Sequence, residues 1–99
     1  MNNVPIFQGD RITIKVTWKD KDGNLVNPTA HSIKIYDFSG TERHSDAAPD
    51  RNPSIGVFEE DYDIPEDAPT GEWRCDWEAT IAGGSKMQKI PFEVHDRSK

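Results

Sequence analysis

Gly71-Glu72-Trp73-Arg74-Cys75-Asp76-Trp77-Glu78-Ala79-Thr80-Ile81-Ala82-Gly83-Gly84-Ser85-Lys86-Met87-Gln88-Lys89-Ile90-Pro91-Phe92-Glu93-Val94 reads as two strands folded back on each other at Gly83-Gly84. In the first half Trp73, Cys75, Trp77, Ala79 and Ile81 alternate with Glu72, Arg74, Asp76, Glu78 and Thr80, the period-two pattern of a strand with one buried face. In the second half Ile90, Phe92 and Val94 alternate with Lys89, Pro91 and Glu93. A tight turn at Gly83-Gly84 sets Ala82 opposite Ser85, and counting back pairs Trp77 with Ile90, Cys75 with Phe92, and Trp73 with Val94. A slip of one residue would send one apolar row into water, so pattern and turn specify the register together.

Working outward, Val4, Ile6 and Phe7 form a short first strand ended by Gly9-Asp10. In Arg11 to Trp18, Ile12, Ile14, Val16 and Trp18 share one side and Thr13, Lys15 and Thr17 the other, and nearly all of these residues are β-branched or aromatic. Asp20-Lys21-Asp22-Gly23-Asn24 turns the chain, Leu25 and Val26 resume an extended path, and Pro28 ends it. Ser32 to Phe38 is a third strand with Ile33 and Ile35 inward. Tyr36 and Phe38 fall on the opposite parity, so this strand is either covered on both faces or bulged. Ser39-Gly40 turns into a short edge strand, Thr41 to His44.

Ser45 to Pro53 lacks periodicity and holds two prolines, which predicts a loop, either mobile or in contact with a partner. Gly56 to Ile64 is a strand with Phe58, Glu60, Tyr62 and Ile64 on one parity, and Glu60 breaks that row, which predicts a place near an end of the sheet or at its rim. Pro65 to Thr70 crosses to the closing hairpin. There Pro91, unable to donate to a ladder, should turn its nitrogen away from a paired neighbour. Residues 1–3 and 95–99 are expected to fray. No helical periodicity and no repeat appear. The chain is therefore all-β: a single domain over residues 1–99, a β-sandwich of about seven mainly antiparallel strands.

A net charge of −6 argues against nonspecific binding to nucleic acid or membrane, both of which require surplus Lys and Arg. The single cysteine, Cys75, excludes an internal disulfide and lies on an apolar row, as a buried thiol would. Met1 to Asp10 has neither a signal-peptide pattern nor a membrane-length apolar run, so with Met1 as the start the expectation is a protein made and kept in the cytoplasm.

No catalytic, cofactor or metal set is expected. His31, His44 and His95 are scattered, and neither Cys-x-x-Cys nor His-x-x-x-His occurs. His44-Ser45-Asp46 holds the letters of a hydrolytic triad, but adjacent side chains on an extended backbone point apart. Asp20 to Asn24 resembles part of a calcium loop, yet the positions that should supply further oxygens hold Leu25, Val26 and Pro28, so a hairpin turn is expected instead. Trp18, Trp73 and Trp77 all lie on apolar parities, which predicts core packing rather than a sugar-stacking platform. Glu59, Glu60, Asp61, Asp63, Glu66 and Asp67 form the most one-sided charge feature, with two readings. One is a solvated outer face; the other is that Glu59, Asp61 and Asp63, sharing one parity, offer a negative stripe to a basic partner.

Gly9-Asp10, Asp22-Gly23, Gly56-Val57-Phe58, Pro69-Thr70-Gly71-Glu72-Trp73, Trp77-Glu78 and Phe92-Glu93-Val94 together resemble immunoglobulin-like sandwiches over nearly the whole chain. Two branches are similar. Macroglobulin and bacterial-surface modules share the Gly-Asp start and the Pro-x-Gly-x-Trp crossing. Small proteins encoded among tailed-phage head, neck and tail genes share Gly-x-Trp-x-x-x-Trp-Glu, here Gly71 to Glu78. Unlike antibody-type domains, this chain has no second cysteine to bridge the sheets. A Met1 start, no export signal and one domain favour the phage branch. That resemblance implies a non-enzymatic structural or accessory virion component, made in the host cytoplasm and binding a capsid, neck or tail scaffold, with other virion proteins and copies of itself as partners in a symmetric assembly. The alternative it leaves is an adhesion or carbohydrate-binding module of a surface protein.

Overall fold

In the computed structural model, which describes residues 5–97, every regular element is a strand. These are β1 (Ile6–Phe7), β2 (Arg11–Thr17), β3 (Ala30–Tyr36), β4 (Glu42–Asp46), β5 (Arg51–Ser54), β6 (Val57–Asp63), β7 (Gly71–Ile81) and β8 (Gly84–His95). They form two sheets, one in the order β1-β8-β7-β3-β4 and the other β2-β6-β5. All pairings are antiparallel except β1 with β8. Val4 and the ends expected to fray at 1–3 and 98–99 lie outside the described residues.

The alternating rows meet between the sheets. Ile33, Ile35, Trp73, Cys75, Trp77 and Ala79 from the larger sheet face Ile14, Val16, Phe58 and Ile64 from the smaller one, all buried. Trp73 donates from Nε1 to Pro69 O at 2.9 Å, and Trp77 from Nε1 to His31 Nδ1 at 3.2 Å, so both indoles are satisfied inside the core. His31 in turn meets Phe58 across the sandwich, the rings tilted at 56° with 4.5 Å between centroids.

The closing hairpin forms, with its register two residues from the expected one. Its loop residues are Ala82 and Gly83, with φ of 52° and 79°, and Ile81 pairs with Gly84. Cys75 therefore faces Ile90, Trp73 faces Phe92, Gly71 faces Val94, and Trp77 faces Gln88. A two-residue hairpin turn with positive φ at both positions favours glycine in the second place; Gly83 takes it, and Gly84 becomes the first paired residue of β8. Moving a turn by one residue moves the register by two, which preserves parity, so the same side chains stay buried. The shift puts Gln88 over the core edge, where its Nε2 donates to Thr17 O of β2 at 2.8 Å and ties the two sheets together.

Three further expectations change. Ser45 to Pro53 is not one loop: β4 runs to Asp46, β5 begins at Arg51, and only residues 47–50 connect them. Pro53 is accommodated because β5 is an edge strand, whose ladder is irregular between Arg51 and Ser54. The open alternatives for β3 resolve as cover on both faces: its register against β7 is unbroken through Tyr36, whose half-buried ring lies 4.6 Å from the Arg74 guanidinium. The extra residue in the ladder is Arg43 on β4, since Ile35 pairs with His44 but Tyr36 with Glu42; Phe38 lies beyond the strand, exposed. The carboxy-terminal end is held rather than frayed as far as Arg97. His95 pairs with Phe7, and Arg97 donates to Gln8 O and to the Asp10 carboxylate. Pro91 lies opposite Arg74, on a part of β8 that β1 does not reach, as a residue without an N–H requires. Asp20 to Asn24 is a turn, in which Asp20 Oδ1 accepts the N–H groups of Asp22 and Asn24, each at 2.9 Å.

Candidate functional site

Strand β6 carries a charge feature on each face. On the outer face Glu59, Asp61 and Asp63 lie in a row, opposite Lys15, Thr13 and Arg11 of β2. Arg51 of β5 donates from both terminal nitrogens to the Asp61 carboxylate at 2.7 Å and from Nε to Glu59 Oε1 at 2.8 Å. Arg11 reaches Asp63 at 3.2 Å and Asp61 at 3.4 Å, and Thr13 Oγ1 donates to Asp61 Oδ1 at 2.7 Å. The Arg51 guanidinium, with help from Thr13, holds the Asp61 carboxyl well below the usual carboxylate range. The three sequence-selected acids are thus brought together, but as the acidic half of a ladder whose basic half is in the same chain. Asp63 remains the most open, its side chain 72% exposed against 21% for Glu59 and 13% for Asp61.

The inner face holds what the sequence reading misplaced. Glu60 is not at the rim; at 1% exposed it is fully buried between the sheets. Its Oε2 lies 2.7 Å from His44 Nε2, and its Oε1 accepts the Asp50 N–H at 3.2 Å. His44 and Asp46 share a parity of β4 and point toward Glu60, whereas Ser45 between them is exposed, so the triad-like run does not assemble as one. Asp46 Oδ1 accepts the Ala48 N–H at 3.1 Å, and the His44 ring lies 5.1 Å from that of Tyr62. Burial raises Glu60 to about 7; the hydrogen bond with His44 acts against the rise, and Asp46 and Asp50 add to it. Asp46 is held below its ordinary value, first by the Ala48 N–H.

Ligand atoms of His44, Asp46 and Glu60 lie within 4.8 Å of one another, the group among the described residues that could hold a metal ion. The signal in the sequence was a carboxylate interrupting an apolar row, together with an edge strand whose inward positions are His and Asp. A carboxylate in such a row is either expelled to the rim or given polar partners inside; only the folded neighbours decide which.

The remaining candidates are structural. Cys75 is fully buried and burial pushes its thiol up to about 12, so it lacks thiolate character. Trp18, Trp73 and Trp77 are each at most 2% exposed, so none of the three offers a stacking platform on the surface.

No protein-family model matches the chain, and no curated protein matches it. Among solved structures, Salmonella alpha-2-macroglobulin reacted with methylamine superposes with a TM-score of 0.73 over 92% of this chain at 19% identity. A point mutant of the same protein gives 0.72 over 91%, also at 19%. The chain spans only 6% of the length of either of those chains. What these likenesses establish is architecture: the chain has the immunoglobulin-like β-sandwich fold of a macroglobulin domain, in eight strands.

Proposed function

We propose that the protein is a non-enzymatic assembly module, a structural or accessory component of a tailed-phage virion that docks on a capsid, neck or tail scaffold. The observation that carries this reading is how the side chains are spent. Every tryptophan is inside, and the two short edge strands β4 and β5 lie on one flank, joined by residues 47–50. Such a module acts through edges, loops and faces. The resemblance of Gly71 to Glu78 to a run in phage-encoded sandwiches favours the virion setting. The acidic row contributes through Asp63, its most exposed member.

The test is quantitative mass spectrometry of purified particles from an induced lysate of the source strain. The chain is expected at a fixed ratio to the portal or tail proteins, set by ring or lattice symmetry. Its presence in the lysate and absence from particles would overturn the proposal. A glycan array is expected to be blank; one saturable ligand would favour the adhesion module instead.

A further inference from the structure

We propose that His44, Asp46 and Glu60 form a binding site for one divalent transition-metal ion, at the flank of the sandwich beneath the connection between β4 and β5.

The donors come from both sheets, His44 and Asp46 from β4 and Glu60 from β6. One imidazole nitrogen and two carboxylates make a borderline donor set suited to Zn²⁺, Co²⁺ or Mn²⁺. Too few oxygens converge for calcium. The atoms are within reach of that geometry. An ion bound at about 2.0–2.2 Å from each donor needs tetrahedral donors roughly 3.3 Å apart. The His44–Glu60 pair, at 2.7 Å, would open slightly, and the widest separation, no more than 4.8 Å, would close by about 1.5 Å. His44 and Asp46 are both half-buried, and His44, with 26% of its side chain exposed, gives an ion a path from solvent. Glu60 is the fixed member.

The supports that orient metal ligands are also present. The Asp50 N–H holds Glu60 Oε1 and leaves Oε2 toward His44, the Ala48 N–H holds Asp46 Oδ1, and the Tyr62 ring flanks His44. Charge points the same way. Asp46 and Glu60 converge on a single imidazole, so the cluster holds more acid than base. A dication would compensate that excess where water cannot.

The experiment is a Co²⁺ titration of the full chain, freed of metal by chelator, followed by visible absorption and by melting. The expected result is a d–d band saturating at one equivalent, displaced by Zn²⁺, with Tm raised by several degrees. Asp46→Asn, which keeps the oxygen that accepts the Ala48 N–H, and His44→Gln should each weaken Co²⁺ at least tenfold. His95→Gln, on an exposed residue at the end of β8, should not. Should His44→Gln fail to fold by near-ultraviolet circular dichroism, Asp46→Asn decides alone. No saturable band at millimolar Co²⁺, or unchanged affinity in folded Asp46→Asn, overturns the proposal.

Discussion

Ala82 is the one non-glycine residue with positive φ among the described residues, in a turn whose geometry prefers Asn or Gly there. Ala82→Asn and Ala82→Gly should therefore each stabilise the protein by about 0.5–1 kcal/mol, read from the denaturation midpoint. Equal or lower stability in both would mean that the turn relaxes to another form. The same residue explains why the hairpin was legible while its register was not: alternation tells which side chains go inward, and parity survives a two-residue shift. Locating the loop at Ala82-Gly83 required weighing strain at alanine against the pairing gained at Gly84, which the pattern does not encode. A second residue-scale contrast concerns the indoles. Trp18 Nε1 is buried without a hydrogen-bond partner among the described residues, whereas Trp73 and Trp77 have acceptors. Trp18→Phe should cost less than Trp77→Phe, since the latter alone strands an acceptor, His31 Nδ1, for a difference of about 1 kcal/mol or more by urea unfolding.

At the scale of elements, β5 is attached to β6 more by Arg51 than by its ladder, which is irregular past that residue. Arg51→Ala should raise amide exchange across Arg51–Ser54 and leave the β7–β8 amides unchanged; uniform acceleration would show that β5 unfolds only with the whole domain. Reversing Glu59 and Asp61 should likewise loosen this sheet, because it sets like charges on Arg51 and Arg11. Asp63→Lys is the cleaner probe of partner contact. Proline at position 53 and the lack of alternation made β5 read as loop, since nothing local in Arg51-Asn52-Pro53-Ser54 asks for a strand. It becomes one because β6 presents an unpaired edge and because Glu59 and Asp61 capture its arginine. By contrast β2, β3, β6 and β7 were legible because each carries a buried row of its own.

Across the whole molecule, two carboxyls shape the pH dependence in opposite senses. Asp37, only 3% exposed, accepts hydrogen bonds from the Ser39 hydroxyl, the Arg43 guanidinium and the Thr41 and Ser39 amides, which lower it from 3.8 to about 2. Its contribution is complete above pH 3.8 and is lost as pH falls through 2. Glu60, raised from 4.5 to about 7, keeps a proton in the fold that the unfolded chain has released. Its contribution is complete below pH 4.5 and fades as pH rises through 7. With chelator present, the Tm of Glu60→Gln should gain on wild type between those values; a difference independent of pH would refute the assignment. The pairing of β1 with the end of β8 has a topological corollary. Gln8 accepts from Arg97 at its carbonyl oxygen and donates from its amide to His95 O, so the backbone comes in and goes out through one doorway. A circular permutant, with these neighbouring ends linked and new termini cut in the Asp20–Asn24 turn, should fold to the same sandwich, and the domain could be spliced into a surface loop of a host protein without stretching either one.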